Sequence, residues 1–253
     1  MKIKVIASGS KGNCTIVICD DTKLLIDIGI SLSYLKNSLD NINIDIDSID
    51  GILISHIHSD HIKGLIQLVK KHKIKVYASV ELLYDLVKVI PIETIVVVDS
   101  KFMINDVEVT LIETSHDVTS YGFIIGHNHK EAVYITDTGY INKKHYKTTM
   151  NKDIYVIESN HDEEMLMNGP YPYHLKQRVI GDKGHLSNRY TGKYLTKVIG
   201  DNTKYILLAH ISENNNTYEL ALEQVKEEMQ DSNFDFNNII VAYQNEETEM
   251  IEV

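Results

Sequence analysis

An apolar run, Gly51-Ile52-Leu53-Ile54, leads directly into Ser55-His56-Ile57-His58-Ser59-Asp60-His61, and this junction limits the fold more than any other stretch. In extended backbone alternate side chains share a face, so His56 and His58 project to the same side. Asp60 and His61 follow in a turn and can aim at a second, neighbouring position. The fold must therefore hold a ligand-rich strand end open beside a buried sheet. Three imidazoles and a carboxylate suit borderline divalent ions such as zinc, manganese or iron. The competing account is a polar loop that happens to be rich in histidine. Four donor side chains in six residues, directly behind a strand, weigh against it.

The rest of the chain reads as strands with helices between them. Lys2–Ala7, Cys14–Cys19 and Lys23–Asp27 have strand character. They are joined by the glycine-bearing turn Ser8–Asn13 and by Asp20-Asp21-Thr22, an antiparallel start to a sheet. Further strands are predicted at Gly51–Ser55, Lys75–Ala78, Thr94–Val98, Val107–Ile112, Tyr121–Gly126, Ala132–Thr136, Ile154–Ile157, Tyr205–Ala209 and Asn238–Ala242. Helical spacing covers Ser31–Leu39, Gly64–Lys71, Val80–Val87, Ser187–Ile199 and Tyr218–Gln230. Such a pattern allows two sheets packed face to face with helices outside, an α/β/β/α sandwich, but periodicity alone does not select it among α/β arrangements. Three prolines and no repeat, linker or low-complexity tract make one domain over residues 1–253 the expectation.

Charge narrows the partners. Lys plus Arg number 25 against 36 Asp plus Glu, a formal charge of −11, which argues against loose adhesion to nucleic acid or anionic lipid. The balance reverses locally. Lys176, Arg178, Lys183, Arg189, Lys193, Lys197 and Lys204 are opposed in that segment only by Asp182 and Asp201, a net +5 that favours a phosphate-bearing substrate. No apolar run approaches the ~20 residues a spanning helix needs, and Met1–Ala7 is too short and interrupted for a signal peptide. A cytoplasmic chain without a membrane partner is expected. Cys14 and Cys19, five apart on one strand, point to opposite faces and read as buried thiols, not a disulfide.

The His56-x-His58-x-Asp60-His61 pattern resembles the signature of the metallo-β-lactamase superfamily. The resemblance implies the four-layer α/β/β/α sandwich and further ligands in a set order at strand ends. The chain supplies His116 in Thr114-Ser115-His116-Asp117, Asp137 in Ile135-Thr136-Asp137-Thr138-Gly139, and His210 in Leu208-Ala209-His210-Ile211-Ser212. It also implies two divalent ions, zinc or manganese, with iron a further candidate. His56, His58 and His116 would hold one ion and Asp60, His61 and His210 the other, with Asp137 and a hydroxide nucleophile between them. Four more segments are similar to the YycJ-like, or WalJ-like, branch: Ser8–Asn13, Glu158–Asp162, Gly184–Asn188 and His210–Asn215. That branch is associated with 5′-to-3′ exonuclease activity on DNA, and the similarity runs from Lys2 to about Ala242. More distantly, tRNA 3′-processing endonucleases carry a strand-end glutamate and a histidine in a Gly-His-Ser-type motif that together assist proton transfer. Glu158 and His185 stand in similar contexts.

On this basis Asp60, Asp137, Glu158 and His185 are the catalytic candidates, and Ser8, Ser10, Asn13, Asn160, His161, Lys183 and Asn188 the candidates for substrate contact. The plainer alternatives are a solvated strand-end carboxylate for Glu158 and a helix-start residue bonding to backbone for His185. Tyr171 and Tyr173 could stack bases; His72, His127, His129 and His145 read as surface residues. The favoured function is a metal-dependent phosphodiesterase, a nuclease acting on DNA in preference to RNA. The same ligands would serve a cyclic-nucleotide or other small phosphodiesterase, or a thioester or lactone hydrolase. Glu158, His185 and the basic segment favour phosphodiesters. A flavodiiron-type oxidoreductase would carry Glu where His58 stands, and a non-catalytic metal-binding protein would be expected to lack at least one of the seven ligands. The sequence carries no signal for oligomeric state.

Overall fold

The computed structural model describes residues 1–253 as two seven-stranded sheets. The first half of the chain lays down β1 (Lys2–Ala7), β2 (Cys14–Cys19), β3 (Thr22–Ile26), β4 (Gly51–Leu53), β5 (Val76–Ala78) and β6 (Ile95–Val97). The second half gives β7 (Lys101–Ile104), β8 (Val107–Glu113), β9 (Tyr121–His127), β10 (Lys130–Ile135), β11 (Ile154–Glu158), β12 (Tyr205–Ala209) and β13 (Ile239–Val241). A last strand, β14 (Ile251–Glu252), returns to the first sheet. The strand orders are β14-β1-β2-β3-β4-β5-β6 and β13-β12-β11-β10-β9-β8-β7. Each sheet starts as an antiparallel meander and continues by parallel crossovers, from β3 to β4 in the first and from β10 to β11 in the second.

Nine helices connect these strands: α1 (Leu32–Asn41), α2 (Ser59–Ile62), α3 (Leu65–His72), α4 (Val80–Leu86), α5 (Tyr146–Thr149), α6 (Glu163–Asn168), α7 (Tyr173–Ile180), α8 (Asn188–Val198) and α9 (Tyr218–Asp231). Three hydrophobic clusters define four layers. Leu35 and Leu39 of α1, Leu65, Leu68 and Val69 of α3 and Leu82 and Leu86 of α4 pack on Ile16, Leu25, Ile52 and Val76. Val5, Val17, Leu24 and Leu53 of the first sheet meet Val109, Phe123, Val156 and Leu207 of the second. Leu195 and Val198 of α8 and Val225 and Met229 of α9 cover Val133, Tyr155, Ile157 and Leu208. The arrangement is the α/β/β/α sandwich. Strands read as continuous apolar runs where both faces are covered, and this explains why β11 and β12 are almost wholly buried.

Cys14 joins the outer cluster of the first sheet and Cys19 the inter-sheet core, so the two thiols face opposite ways and are free. Helix starts follow capping chemistry: Ser31, Ser187 and Thr217 each accept a hydrogen bond from the backbone N–H three residues on. One reading fails here: His127 is buried, not a surface residue, with Nε2 2.9 Å from the Asp106 carboxylate across the β8–β9 hairpin. No helix is long and apolar enough to cross a membrane.

Candidate metal centre

The polar ends of the central strands converge on one edge of the sandwich. Ser55 and His56 follow β4, His116 follows β8, Asp137 follows β10, Glu158 ends β11 and His210 follows β12. The stretch from His58 to Ile62 turns at once into α2, with His61 donating its backbone N–H to the His58 carbonyl. That turn carries Asp60 and His61 back over the strand end. His56 and His61 are fully buried, while His58 is partly open.

Two groups of donor atoms result. His58 Nδ1 lies 3.0 Å from His56 Nε2 and 3.3 Å from His116 Nε2. In the second group Asp60 Oδ2 lies 3.5 Å from His61 Nε2 and 3.7 Å from His210 Nε2. Asp137 stands between the two, with Oδ2 3.2 Å from His61 Nε2 and Oδ1 3.5 Å from His210 Nε2, and it also groups with His56. Asp137 Oδ2 and His210 Nε2 are buried without a hydrogen bond. Orphaned buried polar atoms are costly in a protein interior, and imidazole and carboxylate atoms at this spacing fit divalent metal ions.

Each imidazole gives its other nitrogen to a protein oxygen. His56 Nδ1 is 3.0 Å from Ser55 Oγ, His58 Nε2 3.2 Å from Asp117 Oδ1 and His61 Nδ1 2.7 Å from Asp27 Oδ2. His116 Nδ1 is 3.3 Å from the Gly184 carbonyl, and His210 Nδ1 is 3.0 Å from Glu158 Oε1. Such outer contacts fix the tautomer and orientation of ligating histidines. Asp27 is the central brace and was missed in the sequence. It is fully buried after β3, and its carboxylate also accepts from Ser55 N–H and Ser55 Oγ, both at 2.8 Å. The available signal was a charged residue closing the apolar run Leu24-Leu25-Ile26, one residue before Ile28-Gly29. Asp117 was also missed; Arg178 Nη2 donates to its Oδ2 at 2.6 Å.

Electrostatics follow from this crowding. Burial opposes charge on His61, yet Asp137 and Asp27 outweigh it and push its pKa up to about 10. His210 is likewise raised against burial by Asp137, Asp60 and Glu158. Burial, reinforced by His61, holds His56 well below the ordinary imidazole range. The cationic imidazoles outweigh burial to hold Asp137 far below the usual carboxylate range.

Glu158 and His185 meet beside this cluster. Glu158 is fully buried, and its Oε1 lies 2.7 Å from His185 Nδ1. Its Oε2 accepts from the Thr138 and Leu186 N–H groups at 2.9 and 3.2 Å. Burial would raise the Glu158 pKa, but His185 beside it prevails and the value falls to about 2. Glu158 is thus not a solvated strand-end group, and one carboxylate oxygen serves both His185 and His210.

The substrate-contact candidates divide. Ser8 is buried and its Oγ accepts from His210 N–H at 2.7 Å. Asn13 donates to the Gly9 carbonyl at 3.0 Å and lies 3.0 Å from His61 Nε2. Asn160 donates to the His210 carbonyl at 2.8 Å. Asn188 spends both amide donors on Asn216 and Gln224, and its oxygen accepts from Ser159 and Asn216. These four side chains brace the strand ends, and Asn188 has its hydrogen-bonding capacity committed within the fold. His161 is buried with both ring nitrogens unpartnered, and burial lowers its pKa to about 4. Ser10 and Lys183 are exposed. Within the basic segment Arg189 is tied to Glu228 and Lys204 to the Asp201 carbonyl, while Arg178 and Lys183 stand by His116 and His185.

Residues 22–211 match the model of a β-lactamase superfamily domain. The chain is 37% identical to an exodeoxyribonuclease YycJ of Bacillus anthracis, covering 92% of this chain and 91% of that protein. It is 36% identical to an exodeoxyribonuclease WalJ of Streptococcus pneumoniae serotype 2, covering 87% and 85%. This chain belongs to the metallo-β-lactamase-fold superfamily, in its YycJ/WalJ branch. Two solved structures bear out the fold. The metallo-β-lactamase fold protein YhfI of Bacillus subtilis gives a TM-score of 0.75 at 17% identity, over 98% of this chain and 99% of that one. The short form of human tRNase Z gives 0.66 at 15%, over 98% and 99%.

Proposed function

We propose that the chain is a cytoplasmic DNA exonuclease that hydrolyses phosphodiesters from the 5′ end, using two divalent ions, zinc or manganese. The observation that carries this reading is the Glu158–His185 pair set against the donor cluster, with Oε1 2.7 Å from Nδ1. It is supported by the exodeoxyribonuclease names of relatives matched over most of the chain. His56, His58 and His116 would hold one ion and Asp60, His61 and His210 the other, with Asp137 shared between them. Bound there, the ions supply Lewis acidity and charge neutralisation for an attacking water and a phosphodiester.

The chain's own residues do the rest. Glu158 fixes the His185 ring through Nδ1 and leaves Nε2 to give a proton to the departing oxygen. Asp27, Asp117 and Glu158 hold the ligating imidazoles in place, so the centre is ordered before substrate arrives. The decisive assay follows 5′-labelled and 3′-labelled single-stranded DNA with zinc- or manganese-loaded protein beside an Asp60→Ala/His61→Ala control. Metal-dependent release from the 5′ end, absent in the control, supports the reading. A metal-loaded protein that leaves DNA intact but cleaves cyclic nucleotides would replace it with a small phosphodiesterase. His185→Ala should retain metal and lose about 10²–10⁴-fold in turnover; unchanged turnover would remove His185 from the mechanism.

A further inference from the structure

A cavity of about 250 Å³ opens beside the metal centre, between α7 and the histidines His116 and His185. Its wall is apolar, made by Tyr171, Leu175 and Val179, and its rim carries Arg178 and Lys183. The Arg178 guanidinium is anchored through Nη2 to Asp117 at 2.6 Å, which leaves its other N–H groups unspent. Tyr171 is set by its hydroxyl, which accepts from Asn214 at 3.3 Å, whereas Tyr173 stands out in solvent. An aromatic and aliphatic wall with two cations at its rim matches a nucleoside carrying a phosphate.

We infer that this cavity is the seat of the 5′-terminal nucleotide, with its base against Tyr171 and Leu175 and its 5′-phosphate on Arg178 and Lys183. The inference rests on the exonuclease reading, and the chemistry agrees with the location. Water adds to the phosphorus joining the first two nucleotides, the P–O3′ bond breaks and the proton from His185 goes to O3′. The leaving group is then the end nucleotide itself, and His185 lines the cavity that would hold it. The shortened strand is left with a new 5′-phosphate, the same end that the rim accepts in the next round.

Two measurements test this on zinc-loaded protein. The chain has no tryptophan, so Tyr171→Trp puts a single indole in the cavity wall. Its fluorescence should be quenched saturably by deoxyadenosine 5′-monophosphate, and deoxyadenosine should bind at least about tenfold more weakly. Adding Arg178→Gln and Lys183→Gln should erase that difference, and Arg178→Lys with Lys183 intact should keep most of it. In the second measurement kcat/KM on 5′-phosphorylated DNA should exceed that on 5′-hydroxyl DNA by about tenfold, falling to parity in the double Gln variant. Absence of quenching at millimolar nucleotide, or a wild-type ratio of one on DNA that is cleaved, overturns the assignment and leaves the nuclease reading in place. Saturable quenching without turnover of DNA keeps the nucleotide site and removes the nuclease.

Discussion

Asp27, Asp137 and His210 all sit in left-handed backbone, with φ of 59°, 54° and 54°. For residues other than glycine this conformation is disfavoured, at a cost on the order of 1–3 kcal/mol each, and it persists only where surrounding contacts hold it. Each follows a buried strand, and the reversal turns its side chain inward across the strand end. Asp27 shows what that arrangement secures, since its carboxylate holds both His61 and Ser55. Asp27→Asn keeps the shape but removes the charge, and zinc affinity measured against a competing chelator should fall about 10–100-fold with the fold retained. An unchanged affinity would show that His61 needs no anionic partner. Gly29 is a steric counterpart: a Cβ there would overlap the Asp60 carbonyl and crowd the Asn13 backbone. Gly29→Ala should therefore destabilise by about 3 kcal/mol in urea titration, and a neutral result would mean that the Asp60 turn can retreat. His56, His58, Asp60 and His61 were conspicuous because they are adjacent in the chain. Asp27 was not, because its partners lie 28 and 34 residues away and only the fold reveals them.

The elements that sequence pattern revealed are those with one decided environment. β11 and β12 are apolar because both faces are covered, and α8 and α9 have apolar stripes and capping residues. β7 escaped notice because it is an edge strand with mixed exposure, and β14 because two residues paired with β1 have no period of their own. The segment between β11 and α8 carries two short helices, α6 and α7, and α7 has no buried residue, so neither imposes a strong pattern. Yet α7 is what walls the cavity at the metal centre. The contrast has a physical cause: packing constrains composition strongly, whereas a partly exposed site wall constrains only a few side chains. It also locates the stability of this half. Leu195 is fully buried, and its cluster joins α8, α9 and the outer face of the second sheet. Leu195→Ala should cost about 2–5 kcal/mol in equilibrium unfolding, and a loss under 1 kcal/mol would mean that α8 and α9 close the gap.

At the scale of the whole molecule, the two sheets repeat one plan. Each runs an antiparallel meander into parallel crossovers, and a left-handed aspartate stands at the corresponding turn, Asp27 after β3 and Asp137 after β10. The sandwich thus brings buried carboxylates from both halves to one edge of a chain whose formal charge is already −11. Asp137 stands between His61 and His210 and helps raise the pKa of both against the pull of burial. Divalent ions would neutralise these carboxylates and tie strand ends of both sheets together. An ion that binds only the folded state at a thousandfold excess over its dissociation constant adds about 4 kcal/mol of stability. For a chain of this length each kcal/mol moves the unfolding midpoint by about 2–4 °C. Zinc loading should therefore raise the midpoint by about 10 °C, and a chelator should reverse the shift. Asp60→Ala/His61→Ala should reduce the shift without abolishing it, because that variant removes two donors of one group and leaves the His56, His58 and His116 group intact. A midpoint that ignores zinc in the wild-type chain would mean that the converging imidazoles are held by protons and hydrogen bonds alone, and the two-ion reading would fail with it.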